Sequence, residues 1–212
     1  MFHIKSFVFS PIQENTYLVY NENNNCLIID PGCYFPEEKD QLSSYLASQN
    51  LNPVKLLNTH CHLDHIFGNK FIAETYGLTL HLHEKEQIPL QMAPASGLLF
   101  NLPFDNYNGN FQFLKEGDKI TLDEDELEVI LAPGHSPGSI CFYCAKQHFI
   151  IAGDVLFYRS IGRTDLPGGD HPTLIRSIRE KLFVLPGETI VYNGHGPKTT
   201  IGEEMKFNPF LQ

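Results

Sequence analysis

The stretch NTHCHLDHIFGN, residues 58–69, sets His60, His62, Asp64 and His65 within six consecutive positions. Imidazole nitrogens and carboxylate oxygens are donors for divalent transition metals. A single core histidine is ordinary, but four such groups this close together point to metal binding. In extended chain His60 and His62 face the same way, so one ion can take both. Asp64 and His65 follow where the chain turns into a helix and can face a second ion. Three further donors come later: His135 in APGHSPGS, Asp154 in IIAGDVLF and His195 in VYNGHGPKT. Each follows an apolar run and is flanked by glycine or proline. A carboxylate such as Asp154 at the end of a buried strand is costly without a cation beside it.

Three neighbouring patterns read differently. HLHE repeats the HxH spacing at His81 and His83 but lacks the following Asp-His, so these read as solvent-exposed histidines at a strand end. Cys141 and Cys144 form a CxxC inside a strand-like run, where residues three apart point to opposite faces and cannot share a metal or a disulfide. Cys61, between two ligands, points away from both and reads as a packing residue.

The elements that must position these groups follow from the pattern of the chain. Short β-rich runs open it (HIKSFVFS, TYLVY, CLIID), and Pro36 starts a helix with Leu42, Tyr45 and Leu46 on one face. PVKLLNT is a strand, IFGNKFIAETYG a helix closed by Gly77, and LTLHLH a strand. Residues 93–109 carry no period and read as a long loop, a flap over the site. Strands fall near 111–114, 119–122, 126–131, 138–144 and 148–152, followed by a Gly-rich loop at 161–170. A helix from Pro172, a strand in ETIVYNGHG and a closing helix in TIGEEMKFNPFL complete the chain. Two β-rich halves with helices on one side of each predict an α/β, four-layer αββα sandwich. No linker or repeat divides residues 1–212, which read as one domain.

Composition excludes other classes. At 212 residues with 42% hydrophobic side chains the chain can bury a sizeable core. A net charge of −10 with no basic run argues against nucleic acid. The N-terminus carries too short an apolar run for a signal peptide or a membrane span, and the odd count of 5 cysteines suits a reducing compartment. The expectation is a cytoplasmic protein without a membrane partner; its oligomeric state is not written in the sequence.

The motifs THCHLDH, APGHSPGS, AGD and NGHG together resemble the successive metal motifs of the metallo-β-lactamase superfamily. The tail GRTDLPGGD, GHGPKTTIGEE and NPFL resembles its short, single-domain glyoxalase II-like hydrolases. The resemblance implies the metallo-β-lactamase fold with His60, His62 and His135 on one ion and Asp64, His65 and His195 on the other. Asp154 would bridge them, with Asp64 sharing in proton handling. The cofactors would be two divalent ions, zinc foremost, with iron or manganese as alternatives. The reaction implied is attack by a metal-bridging hydroxide on a small-molecule thioester or ester. Asp30, in IIDPG, matches a position that supports the ligand loop from behind, and reads equally as a turn former. Arg163 matches a basic position that binds a glutathione carboxylate, and reads equally as a loop arginine paired with Asp165 or Asp170. The tyrosines expected after these motifs are Asp165 and Pro197 here, and the sequence stops at Gln212 without the C-terminal helical domain of full-length glyoxalase II, so the expectation is that much of the glutathione pocket is missing or rebuilt. Two alternatives stay open: a persulfide dioxygenase of the same fold, with one iron on His60, His135 and Asp154, and a non-catalytic metal-binding protein.

Overall fold

The computed structural model describes residues 1–212 as two six-stranded sheets packed face to face. The first sheet takes its strands in chain order: β1 (His3–Phe9), β2 (Glu14–Tyr20), β3 (Asn25–Ile29), β4 (Asn52–Leu57), β5 (Leu80–His83) and β6 (Phe111–Leu114). Its first three strands are antiparallel and β3 to β6 are parallel. The second sheet contains β7 (Lys119–Leu122), β8 (Asp125–Leu131), β9 (Ile140–Cys144) and β10 (Phe149–Gly153). A small hairpin, β11 (Leu156–Phe157) and β12 (Ser160–Ile161), precedes β13 (Ile190–Asn193) and β14 (Thr199–Thr200), and the sheet order is β14-β13-β10-β9-β8-β7.

Helices cover both outer faces. Against the first sheet lie α1 (Pro36–Ser48), the single-turn α2 (Leu63–Ile66), α3 (Asn69–Tyr76) and α4 (Gln87–Leu99). Against the second lie α5 (His171–Ser177), extended by a wider turn at Ile178–Leu182, and α6 (Ile201–Phe207). The layers follow from the period of two along each strand. Leu27 and Ile29 face the second sheet while Ile28 between them faces the helices. Phe142 and Cys144 point inward while Cys141 and Tyr143 point to α5 and α6. The two sulfurs of the CxxC therefore sit in different cores, as the spacing requires.

Two readings need correction. The segment 93–109 is not a loop throughout: α4 runs to Leu99, with Pro94 inside it, and only the residues after it are irregular. Pro94 has no N–H to give the Leu90 carbonyl, which would ordinarily end a helix. Here the Asn106 side-chain amide donates to that carbonyl at 2.7 Å, so a residue twelve positions downstream replaces the missing bond. The helix read from Ile66 to Gly77 is broken at Gly68, whose N–H donates to the Pro31 carbonyl at 2.7 Å. Gly77, with φ of 66°, closes α3 as expected.

Phe142, fully buried between the sheets, sets the expected cost of disturbing this core. Phe142→Ala should lose about 3–5 kcal/mol of unfolding free energy. Phe210→Ala at a 53% exposed position should lose less than about 0.5 kcal/mol in the same urea titration.

Candidate metal centre

Every predicted donor lies just beyond the carboxyl end of a strand, at one edge of the sandwich, where open α/β sheets present their ligands. β4 delivers His60, His62, Asp64 and His65, β8 delivers His135, β10 delivers Asp154 and β13 delivers His195. The two sheets are stitched together there by backbone bonds, Ile140 N–H to the Thr59 carbonyl at 2.9 Å and Asn15 N–H to the Gly194 carbonyl at 2.7 Å.

All seven side chains converge, in two groups. In the first, His135 Nε2 lies 3.1 Å from His60 Nε2 and 2.8 Å from His62 Nδ1. In the second, His195 Nε2 lies 3.1 Å from Asp64 Oδ2, and His65 Nε2 lies 3.7 Å from the same oxygen. Asp154 stands between the groups: its Oδ2 is 3.5 Å from His135 Nε2 and 3.6 Å from His195 Nε2. Its Oδ1 is 3.4 Å from His65 Nε2, and both of these buried atoms lack a hydrogen-bond partner.

The second nitrogens of the rings fix which atom faces the centre. His135 Nδ1 donates to the Arg163 carbonyl at 2.7 Å, and His195 Nδ1 to the Gln13 carbonyl at 3.1 Å. His65 Nδ1 donates to Asp30 Oδ2 at 3.1 Å. A carbonyl or carboxylate can only accept, so the proton stays on Nδ1 and the Nε2 lone pair points inward. Burial holds His60 and His135 below the usual imidazole range and pushes His62 down to about 3, which keeps this group neutral, the form that binds a cation. Burial also acts against charge on His65, but Asp154 and Asp64 outweigh it and hold its pKa well above the usual range. Asp154 stays well below the ordinary carboxylate range: burial opposes its charge, and His65, His135 and His195 outweigh burial. The centre thus calls for positive charge around two fixed carboxylates. The two unpartnered inward-facing atoms, His65 Nε2 and Asp154 Oδ1, the neutral imidazoles of the first group and nitrogen spacings close to the roughly 3.3 Å of tetrahedral ligands fit divalent cations.

The supports are as specific as the ligands. Asp30 adopts the left-handed conformation, φ 49°, which aspartate tolerates better than most residues. Its carboxylate accepts from Thr59 N at 2.7 Å, Thr59 Oγ1 at 2.5 Å and Asn58 Nδ2 at 3.3 Å as well as from His65. Gly194 is the other constraint, since a Cβ there would overlap the Asp154 carboxylate and crowd the His65 ring.

Sequence reasoning missed Glu86, fully buried in the turn before α4. It accepts from Cys61 N at 2.8 Å, Ser136 Oγ at 2.6 Å and Gly138 N at 2.7 Å, and so clamps the loop of His60 and His62 to the loop of His135. In HEKE it looks like part of a solvated charged run, and only the fold reveals its partners. Asn15 and Tyr17, in β2, were also missed: they donate to the Asn193 carbonyl at 3.0 Å and 2.6 Å and steady the strand end before His195.

Other expectations change. His81 and His83 stay outside the centre, but they are buried rather than solvent-exposed. His81 Nδ1 reaches the Thr79 carbonyl at 3.0 Å and His83 Nδ1 accepts from Lys85 N at 3.3 Å, so each has a local partner. Arg163 donates through Nε and Nη2 to the two carboxylate oxygens of Asp165, at 2.7 and 2.8 Å, while Asp170 caps α5. Cys61 packs into the apolar cluster under the helices.

The centre opens on a cavity of about 870 Å³ bounded by α4 on one side and by residues 157–168 on the other. The sequence profile of the Metallo-beta-lactamase superfamily matches residues 10–195. The chain belongs to this superfamily. Among its relatives in the superfamily is the Bacillus subtilis protein named "Probable metallo-hydrolase YqgX", 39% identical over 95% of this chain and 93% of that one. The hydroxyacylglutathione hydrolase GloC of Haemophilus influenzae is 38% identical over 94% and 93%. The BLEG-1 B3 metallo-beta-lactamase crystal structure superposes with a TM-score of 0.91 at 40% identity, covering 99% of this chain and all (100%) of that one. TTHA1623 in a di-iron-bound form gives 0.88 at 35% identity, over 98% and 100%. The metallo-β-lactamase fold and membership of a metallo-hydrolase superfamily are thereby established, and no helix is long and apolar enough to cross a membrane.

Glu86→Gln turns one acceptor oxygen into a donor facing other donors. It should lower metal affinity at the His60, His62 and His135 group by about 10–100-fold, with much less effect at the second group, in a competition titration against a chromophoric chelator. Equal losses at both groups, or none, would contradict the clamp.

Proposed function

We propose that this chain is a hydrolase of small-molecule thioesters or related esters that works with two divalent cations, zinc foremost. His60, His62 and His135 would hold one ion and Asp64, His65 and His195 the other, with Asp154 between them. The observation that carries the reading is the position of Asp154 Oδ2, about equally far from a histidine of each group, at 3.5 and 3.6 Å. The GloC relative, named as a hydroxyacylglutathione hydrolase, supports the thioester class.

Bound there, two such cations would supply Lewis acidity and lower the pKa of a bound water toward about 7. The protein supplies the rest. Asp64, on the cavity floor, presents a carboxylate oriented by His195 that can share in handling a proton at the centre. Asp30, Glu86 and the Arg163 carbonyl fix ring orientations, so little reorganisation is needed during the reaction. A thiolate leaves readily without acid help, which agrees with a cavity that shows no dedicated acid on the leaving-group side. The volume of the cavity and its direct access to both groups favour catalysis over storage, because a purely structural site is closed by its protein ligands.

Elemental analysis joined to a thioester turnover assay tests this reading. Two metal equivalents per chain with turnover are expected, and Asp154→Asn should reduce both the occupancy and the rate by at least about 100-fold. One iron per chain with persulfide oxidation and no thioester cleavage would favour the dioxygenase built on His60, His135 and Asp154. A loaded but inert protein would contradict the hydrolase.

A further inference from the structure

A large share of the cavity wall is apolar. The α4 side carries Ile88, Met92 and Phe100, which are 66%, 52% and 57% exposed and point apolar surface toward the opening. Phe157 and Leu166 face them across the cavity. This apolar surface remains solvated unless something apolar covers it. Two cations border the same cavity, Arg163 and Lys85. Arg163 is committed to Asp165 by two hydrogen bonds. Lys85 is exposed at the rim and has no ion-pair partner, because its neighbour Glu86 turns inward to Cys61, Ser136 and Gly138.

We propose that the cavity selects a thioester with an apolar acyl half, lying against Ile88 and Met92 of α4, and an anionic thiol half, whose charge meets Lys85 as it leaves toward solvent. This rests on the hydrolase reading above and narrows its substrate class. The apolar part of the wall supplies affinity, and the unpaired cation at the rim supplies polarity of binding. In a chain of net charge −10, Lys85 adds a positive charge at the rim that favours an anionic group on that side of the opening. Lys85 is a specificity-determining residue, and the position carried over from the family, Arg163, is not.

Four probes test it with the metal-loaded protein: acetyl and phenylacetyl thioesters of 3-mercaptopropionate, and the same two of 2-mercaptoethanol. Phenylacetyl should exceed acetyl in kcat/KM by at least about tenfold, and Ile88→Ser/Met92→Ser should bring that ratio toward one. The anionic thiol should be preferred over the neutral one, and Lys85→Met should cut that preference about two- to fivefold, while Arg163→Met leaves the ratio in place. Turnover of all four without these preferences, or a charge preference that disappears with Arg163→Met instead, overturns the inference and leaves the hydrolase standing. No turnover of any probe overturns both.

Discussion

The rest of the structure depends on one electrostatic constraint: two carboxylates and five imidazoles are brought together where two sheet edges meet, largely out of water. A buried carboxylate without compensating charge costs several kcal/mol, and Asp154 is almost entirely surrounded by histidine nitrogens rather than hydrogen-bond donors from the backbone. Such a centre is held together by scaffold rigidity or by cations, and here the chain offers the first and the donor groups for the second. The donors follow the ends of β4, β8, β10 and β13 within a few residues.

Rigidity comes from a few groups. Asp30 ties the ligand loop to β3 and aims His65, Glu86 ties the same loop to that of His135, and Asn15 and Tyr17 tie β13 to the first sheet. Most of these bonds cross long sequence separations, so the centre forms only when the whole sandwich does. A ligand set positioned in this way keeps its geometry through turnover, which is what electrostatic preorganisation requires.

The sequence made the ligands more legible than their surroundings. HxHxDH and three glycine-flanked donors after apolar runs are local patterns, and the period of two along the strands gave the layers and the separation of Cys141 from Cys144. What was illegible depended on tertiary contact. Pro94 reads as a helix breaker until Asn106 supplies the bond it lacks. Glu86 reads as surface charge until three donors close on it, and His81 and His83 read as exposed because burial of a polar side chain leaves no periodic trace. Arg163 carried two readings of equal weight, and its bidentate pair with Asp165, visible only in three dimensions, agrees with the loop-arginine one. The substrate is the least legible feature, because it is set by the walls of a cavity whose two sides lie some seventy residues apart in the chain, between Ile88 and Phe157.

An anomalous-scattering map from crystals grown with zinc measures the central claim most directly. The account predicts two peaks, about 3.5–4 Å apart, one within bonding distance of His60, His62 and His135, the other of Asp64, His65 and His195, with a carboxylate oxygen of Asp154 contacting both. A single peak, or two peaks with Asp154 turned away from either, would contradict it.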